Sequence, residues 1–139
     1  MLKSLENELL SCFQENDWDK LFILIKKNNL YYTTKINSKN FLQLLVIYEN
    51  NNLGIEQFKK HFSKKELTYM AEQIDNDGYS IYHSAAFNGE NLDILYFLLS
   101  IKNFNNMKKD KMTTIKPTYF AKHYGYDDWI NKFNLEVIN

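Results

Sequence analysis

The chain has 139 residues, 45% of them hydrophobic, and its 17 basic residues, all lysine, balance 17 acidic ones. A chain this long can bury roughly 70% of its unfolded surface in one core without disulfide or metal support. Balanced charge and the absence of arginine argue against nucleic acid, whose phosphates need clustered cations and whose bases are read by arginine forks.

The lone Cys12 excludes an internal disulfide and fits a reducing compartment. No apolar run approaches the roughly 18 residues of a membrane span, and the first residues, Met1 to Glu8, are amphipathic and acidic rather than signal-like. These features predict a soluble, cytoplasmic protein with no membrane partner, in its own cell or, after leaderless secretion, in a host cell. Heavy use of Asn, Lys, Ile and Tyr without Arg matches an AT-rich genome.

Leu9, Leu10, Cys12 and Phe13 have helical spacing, Glu15-Asn16-Asp17 breaks the pattern, and Trp18, Leu21, Phe22, Ile23, Leu24 and Ile25 resume it as far as Lys26-Lys27-Asn28. This predicts a helix, a turn and a second helix closed by lysines and Asn. The next such unit starts at Ser38-Lys39-Asn40, runs from Phe41 to Tyr48, turns at Glu49-Asn50-Asn51-Asn52 and continues from Leu53 to Phe62. The two turns, at Asn16 and Glu49, lie 33 residues apart. Ser63 followed by Glu66 reads as a capping box, predicting an extra helical turn within Ser63 to Gln73.

The third unit carries the strongest pattern: Asp75-Asn76-Asp77-Gly78-Tyr79-Ser80-Ile81-Tyr82-His83-Ser84-Ala85-Ala86-Phe87-Asn88-Gly89, then an apolar helix from Leu92 to Leu98-Leu99. Gly78 permits the positive φ of a turn, and Gly89 and Gly125 let the chain reverse between helices. In the fourth unit Lys116-Pro117-Thr118-Tyr119-Phe120-Ala121 leads to Gly125, 36 residues after Gly89, and a short final helix covers Asp127 to Phe133. Pro117 suits a first helical turn.

Gly78, Ser80, His83, Ala85, Ala86, Gly89, Leu98 and Leu99 fall on the positions of an ankyrin repeat, which has a period of about 33 residues. The third unit therefore resembles that family, the fourth does so through Pro117, Ala121 and Gly125, and the first two are degenerate. Ser38 to Phe62 departs most, lacking the Asp-Gly turn, the Pro and the Ala pair. The resemblance implies an all-α fold, an ankyrin-like solenoid of about four stacked helix-turn-helix units. It places them in a single domain spanning residues 1–139, at approximately 5–28, 37–62, 75–103 and 110–134.

His83 looks like the ankyrin histidine whose imidazole ties neighbouring turns together. His61 and His123 lack a carboxylate or cysteine at metal-ligand spacing, Cys12 falls on a core face, and no P-loop, G-x-G-x-x-G, G-x-S-x-G or H-E-x-x-H is present. Asp127-Asp128 at a helix start opposes the macrodipole more simply than it supports acid–base work. The lysine pairs Lys26-Lys27, Lys59-Lys60, Lys64-Lys65 and Lys108-Lys109 read as solvated helix ends. No catalytic residue, metal or cofactor is expected.

Through the resemblance, Asn76, Asp77, Tyr79, Phe87 and Asn88 in the third unit point outward, with Met112, Thr113, Ile115, His123 and Tyr124 in the fourth. Aromatic anchors among adaptable polar groups fit a partner-binding surface. The competing expectation is that the Asn103 to Lys109 loop covers Phe87 and Ile115. The leading functional expectation is a non-enzymatic protein–protein interaction module, monomeric alone and gripping a folded enzyme or effector as inhibitor, immunity protein or anti-effector. The alternatives are a structural adaptor subunit and, behind it, a small enzyme or ligand-binding protein.

Overall fold

The computed structural model describes residues 1–137, and these contain nine α-helices and no named strand. They are α1 (Lys3–Glu15), α2 (Trp18–Lys27), α3 (Phe41–Tyr48), α4 (Leu53–His61), α5 (Lys64–Glu72), α6 (Ile81–Phe87), α7 (Leu92–Ile101), α8 (Pro117–His123) and α9 (Asp127–Val137). A single 3-10 turn, Phe104–Asn106, lies between α7 and α8. None of the helices is long and apolar enough to cross a membrane.

The helix starts follow from local chemistry. The Asp17 side chain accepts from the Lys20 N–H at 3.2 Å to begin α2. Reciprocal capping boxes begin α3 (Asn40 with Gln43), α5 (Ser63 with Glu66) and α6 (Ser80 with His83). Pro117 occupies the first turn of α8, where its missing N–H leaves no bond unmade. Asn16, at φ 55°, ends α1 in the left-handed region that Asn tolerates.

Packing runs in two rows. α1, α3, α6 and α8 touch one another in that order. Behind them α2 packs on α4, and α5, α7 and α9 touch in sequence. The first half of the core is aromatic: Phe13 stacks on Phe41 and meets the Trp18 edge, while Phe58 meets both Trp18 and Phe22. In the second half Tyr82 meets Phe133, which stacks on the fully buried Trp129.

Two segments differ from the sequence expectation. The insert after Ser63 is a nine-residue helix, α5, rather than a single turn, because Leu67, Met70 and Ala71 give it a buried face against α3 and α7. The buried Asn40 and Gln43 amides donate to its C-terminal carbonyls, Met70 O at 3.0 Å and Gln73 O at 3.2 Å. The last helix is also longer than expected. Trp129, Phe133 and Val137, at i, i+4 and i+8, carry the buried stripe to the end of the described residues.

Gly89 does not have positive φ; it is glycine because a Cβ would lie 2.4 Å from the Tyr126 ring. Gly54 is the sharper case. It sits in the first turn of α4, where alanine is favoured by up to about 1 kcal/mol, yet its Cβ would collide with the Glu49 carboxylate and come within 2.6 Å of Trp18 and 2.7 Å of Leu45. Overpacking of a tight core costs ~1–3 kcal/mol. Gly54→Ala is therefore expected to lower stability in urea unfolding; a gain, as propensity alone demands, would contradict this packing.

Candidate protein-interaction face

The face begins with the turns preceding α3, α6 and α8. Before α3 the chain reverses at Asn37 and Ser38, at φ 52° and 70°, closed by paired bonds between Ile36 and Lys39. Before α6, Asp75 organises the turn: its Oδ1 accepts from the N–H groups of Asp77 (2.9 Å) and Tyr79 (3.0 Å). Its Oδ2 meets Lys39 Nζ at 2.7 Å. Burial alone would raise the Asp75 pKa; the Lys39 bond and those N–H groups outweigh it and hold the carboxyl below its usual range. Gly78, at φ 82°, completes the turn, and its carbonyl accepts from Thr113 N–H at 2.7 Å.

His83 links the same two turns. Its Nδ1 accepts from the Ser80 N–H at 3.0 Å, so Nε2 carries the proton and donates to the Ile115 carbonyl at 2.6 Å. The ring is fully buried, and burial pulls its pKa below the ordinary value, opposed by the Ile115 carbonyl and the Asp75 charge. Both nitrogens are thus engaged in holding backbone. Tyr79 stacks on the ring at 5.6 Å.

Phe120, which the sequence reading did not single out, is the centre of the aromatic face. Phe87 lies 4.6 Å from it, Tyr79 5.4 Å and Tyr119 5.5 Å. Tyr124 continues the line from Phe87 to Tyr126, with His123 against its edge. Phe87 is 41% exposed, Tyr124 52% and Ile115 43%. The Asn103 to Lys109 loop does not cover Phe87 and Ile115, because Phe104 turns it onto Tyr82 and Phe133.

The other expected residues divide. Asn76, Asp77 and His123 are exposed, whereas Met112 and Thr113 are half-buried, with Met112 packed on the core. Asn88 is engaged within the fold: its amide donates to Val46 O and Glu49 O, closing the end of α3.

The remaining reactive groups are occupied or buried. Cys12 is buried and its thiol pKa is raised by burial. Glu49, 1% exposed, has a pKa raised by burial against the opposing N–H groups of Asn51, Asn52, Gly54 and Ile55 at the start of α4. Exposed His61 stacks on Phe22 at 4.1 Å. Among the described residues, no group of three or more His, Cys, Asp or Glu side chains is arranged to hold a metal ion. No family model matches the chain, and no curated protein matches it.

Because the His83 pKa is depressed in the fold, the unfolded chain takes up the proton first as pH falls. Its contribution to stability is present above the ordinary value of 6.5 and is lost as pH falls through the lowered one. Chemical denaturation between about pH 7 and pH 5 should show a smaller acid loss for His83→Gln than for the parent chain. Equal slopes would remove this assignment.

Proposed function

We propose that the chain is an ankyrin-type stack of four helix pairs and that it acts without catalysis, by gripping another protein. The observation that carries this reading is the pair of bonds between consecutive turns, His83 to Ile115 and Thr113 to Gly78, at the positions where the sequence resembles that repeat. The row of helices that touch in chain order, α1, α3, α6 and α8, supports the same reading. In such a stack the turns and this inner row form the receptive surface. Here that surface presents Phe87 and Tyr124 on a base of packed rings, with Asn76 and Asp77 beside them.

Rigid aromatics suit a folded target. Phe87 and Tyr124 are braced by Phe120 and Tyr126, so little side-chain freedom is lost on binding. The burial of Cys12 and the full engagement of His83 favour occupancy over chemistry. An inhibitor or immunity role is the form of this function that needs no second activity in the chain.

Affinity capture from the source cells, followed by titration with the purified partner, tests the proposal. Phe87→Ala and Tyr124→Ala should each weaken binding by ~2 kcal/mol while leaving the unfolding transition in place. A stoichiometric enzyme whose activity falls on adding the chain would establish inhibition; losses below a few tenths for both variants would exclude this face.

A further inference from the structure

The outward side of the last helix pair is a second, separate surface. A groove of about 580 Å³ runs between α8 and α9, floored by Ile115, Tyr119 and Ile130 and edged by Lys116 and Lys122. Tyr119 is 63% exposed and Ile115 43%. No ion pair engages either lysine among the described residues.

The register of the helices says what kind of surface this is. α8 starts 36 residues after α6, so Tyr119 and Lys122 stand where the third pair has His83 and Ala86. α9 starts 35 residues after α7, which sets Ile130 where the third pair has Leu95. His83, Ala86 and Leu95 are all fully buried, and His83 bonds directly to the fourth pair. The groove is therefore the side on which the third pair receives its neighbour, left open here. Its floor is chiefly apolar, although Thr118 and Asn134 also line it where the third pair has Tyr82 and Leu99, and its edges have changed to two cations, at positions held by Ser80 and Ala86 in the third pair.

We infer that this groove is a docking site for an amphipathic helix of a partner protein, its apolar side on Ile115, Tyr119 and Ile130 and its acidic flank against Lys116 and Lys122. A helix lying in a groove between two others is a recurrent recognition mode, and the charge at the edges selects the partner's flank. This surface goes beyond the aromatic face proposed above, sharing with it Ile115 and Tyr119, and the lysines allow the two to be separated.

The test uses the full chain and two synthetic amphipathic peptides with leucines at i, i+3, i+4 and i+7, one with glutamate flanks and one with lysine flanks. Fluorescence anisotropy should show the glutamate peptide binding and the lysine peptide not. The Lys116→Glu, Lys122→Glu double variant, at exposed positions that leave the fold intact, should weaken binding at least about tenfold. Tyr124→Ala should leave it unchanged, which keeps this outcome independent of the aromatic face. Absence of binding, equal binding of both peptides, or no effect of the double variant would overturn the inference. Light scattering of the chain alone showing a mass that rises with concentration and collapses in the double variant would assign the groove to a second copy instead.

Discussion

Consecutive helix pairs are held in register by hydrogen bonds from buried or half-buried polar side chains to the backbone of an adjacent pair. Asn16 reaches Tyr48 O, Asn88 reaches Val46 O and Glu49 O, and His83 reaches Ile115 O. Each donor is at least partly withdrawn from water, so a slip of one pair against the next would leave it unsatisfied, at about 1–3 kcal/mol apiece. Apolar contact alone would tolerate many such slips. With the spacing fixed, the small Ala85, Ala86 and Ala121 let α6 and α8 approach, and Tyr82, Phe133 and Trp129 fill the volume behind them.

These ties explain which parts of the fold were legible. His83 and Ser80 form a local capping box, and Gly78 marks a turn; such signals involve residues three or four apart and survive in a single sequence. α5 is longer than the local signals suggest because what stabilises it is remote: α3 and α7, on which Leu67, Met70 and Ala71 pack, and the amides of Asn40 and Gln43, about thirty positions upstream. The need for glycine at position 54 depends on the close approach of Glu49, Leu45 and Trp18, partners no periodicity reveals. The same limit applied to the face, where Tyr79, Phe87 and Tyr124 were anticipated but Phe120, on which they assemble, was not. A residue central to a cluster drawn from two helix pairs has no local signature.

Charge plays a different part. Acids stand in first turns, as with Asp19, Glu56, Glu66, Asp93, Asp127 and Asp128, and lysines in last turns, as with Lys26, Lys27, Lys59 and Lys60. This pattern opposes the helix dipoles and keeps the chain neutral without dense ion pairing. Glu56–Lys59, Glu72–Lys102 and Lys132–Glu136 are exposed or half-exposed pairs, contributing ~0–1 kcal/mol each. Lys39–Asp75 stands apart because Asp75 is 3% exposed there and also receives two backbone N–H groups.

The fourth helix pair carries residues of both surfaces. Its inward side keeps what stacking requires: Ala121, Trp129 and Phe133 are buried. Its outward side follows neither of the simple alternatives. A pair awaiting a further repeat would keep small or apolar residues where Lys116 and Lys122 stand. A pair serving only as a solvated cap would replace Ile115, Tyr119 and Ile130 with polar residues, since exposed rings and β-branched chains bring no solubility. A chiefly apolar floor with cationic edges matches a surface that is apolar on one side and acidic on its flanks. Ile115 lies at the edge shared with the aromatic face, and its carbonyl is the atom that His83 holds. The bond that fixes the register of the last pair therefore also fixes the relative placement of the two surfaces.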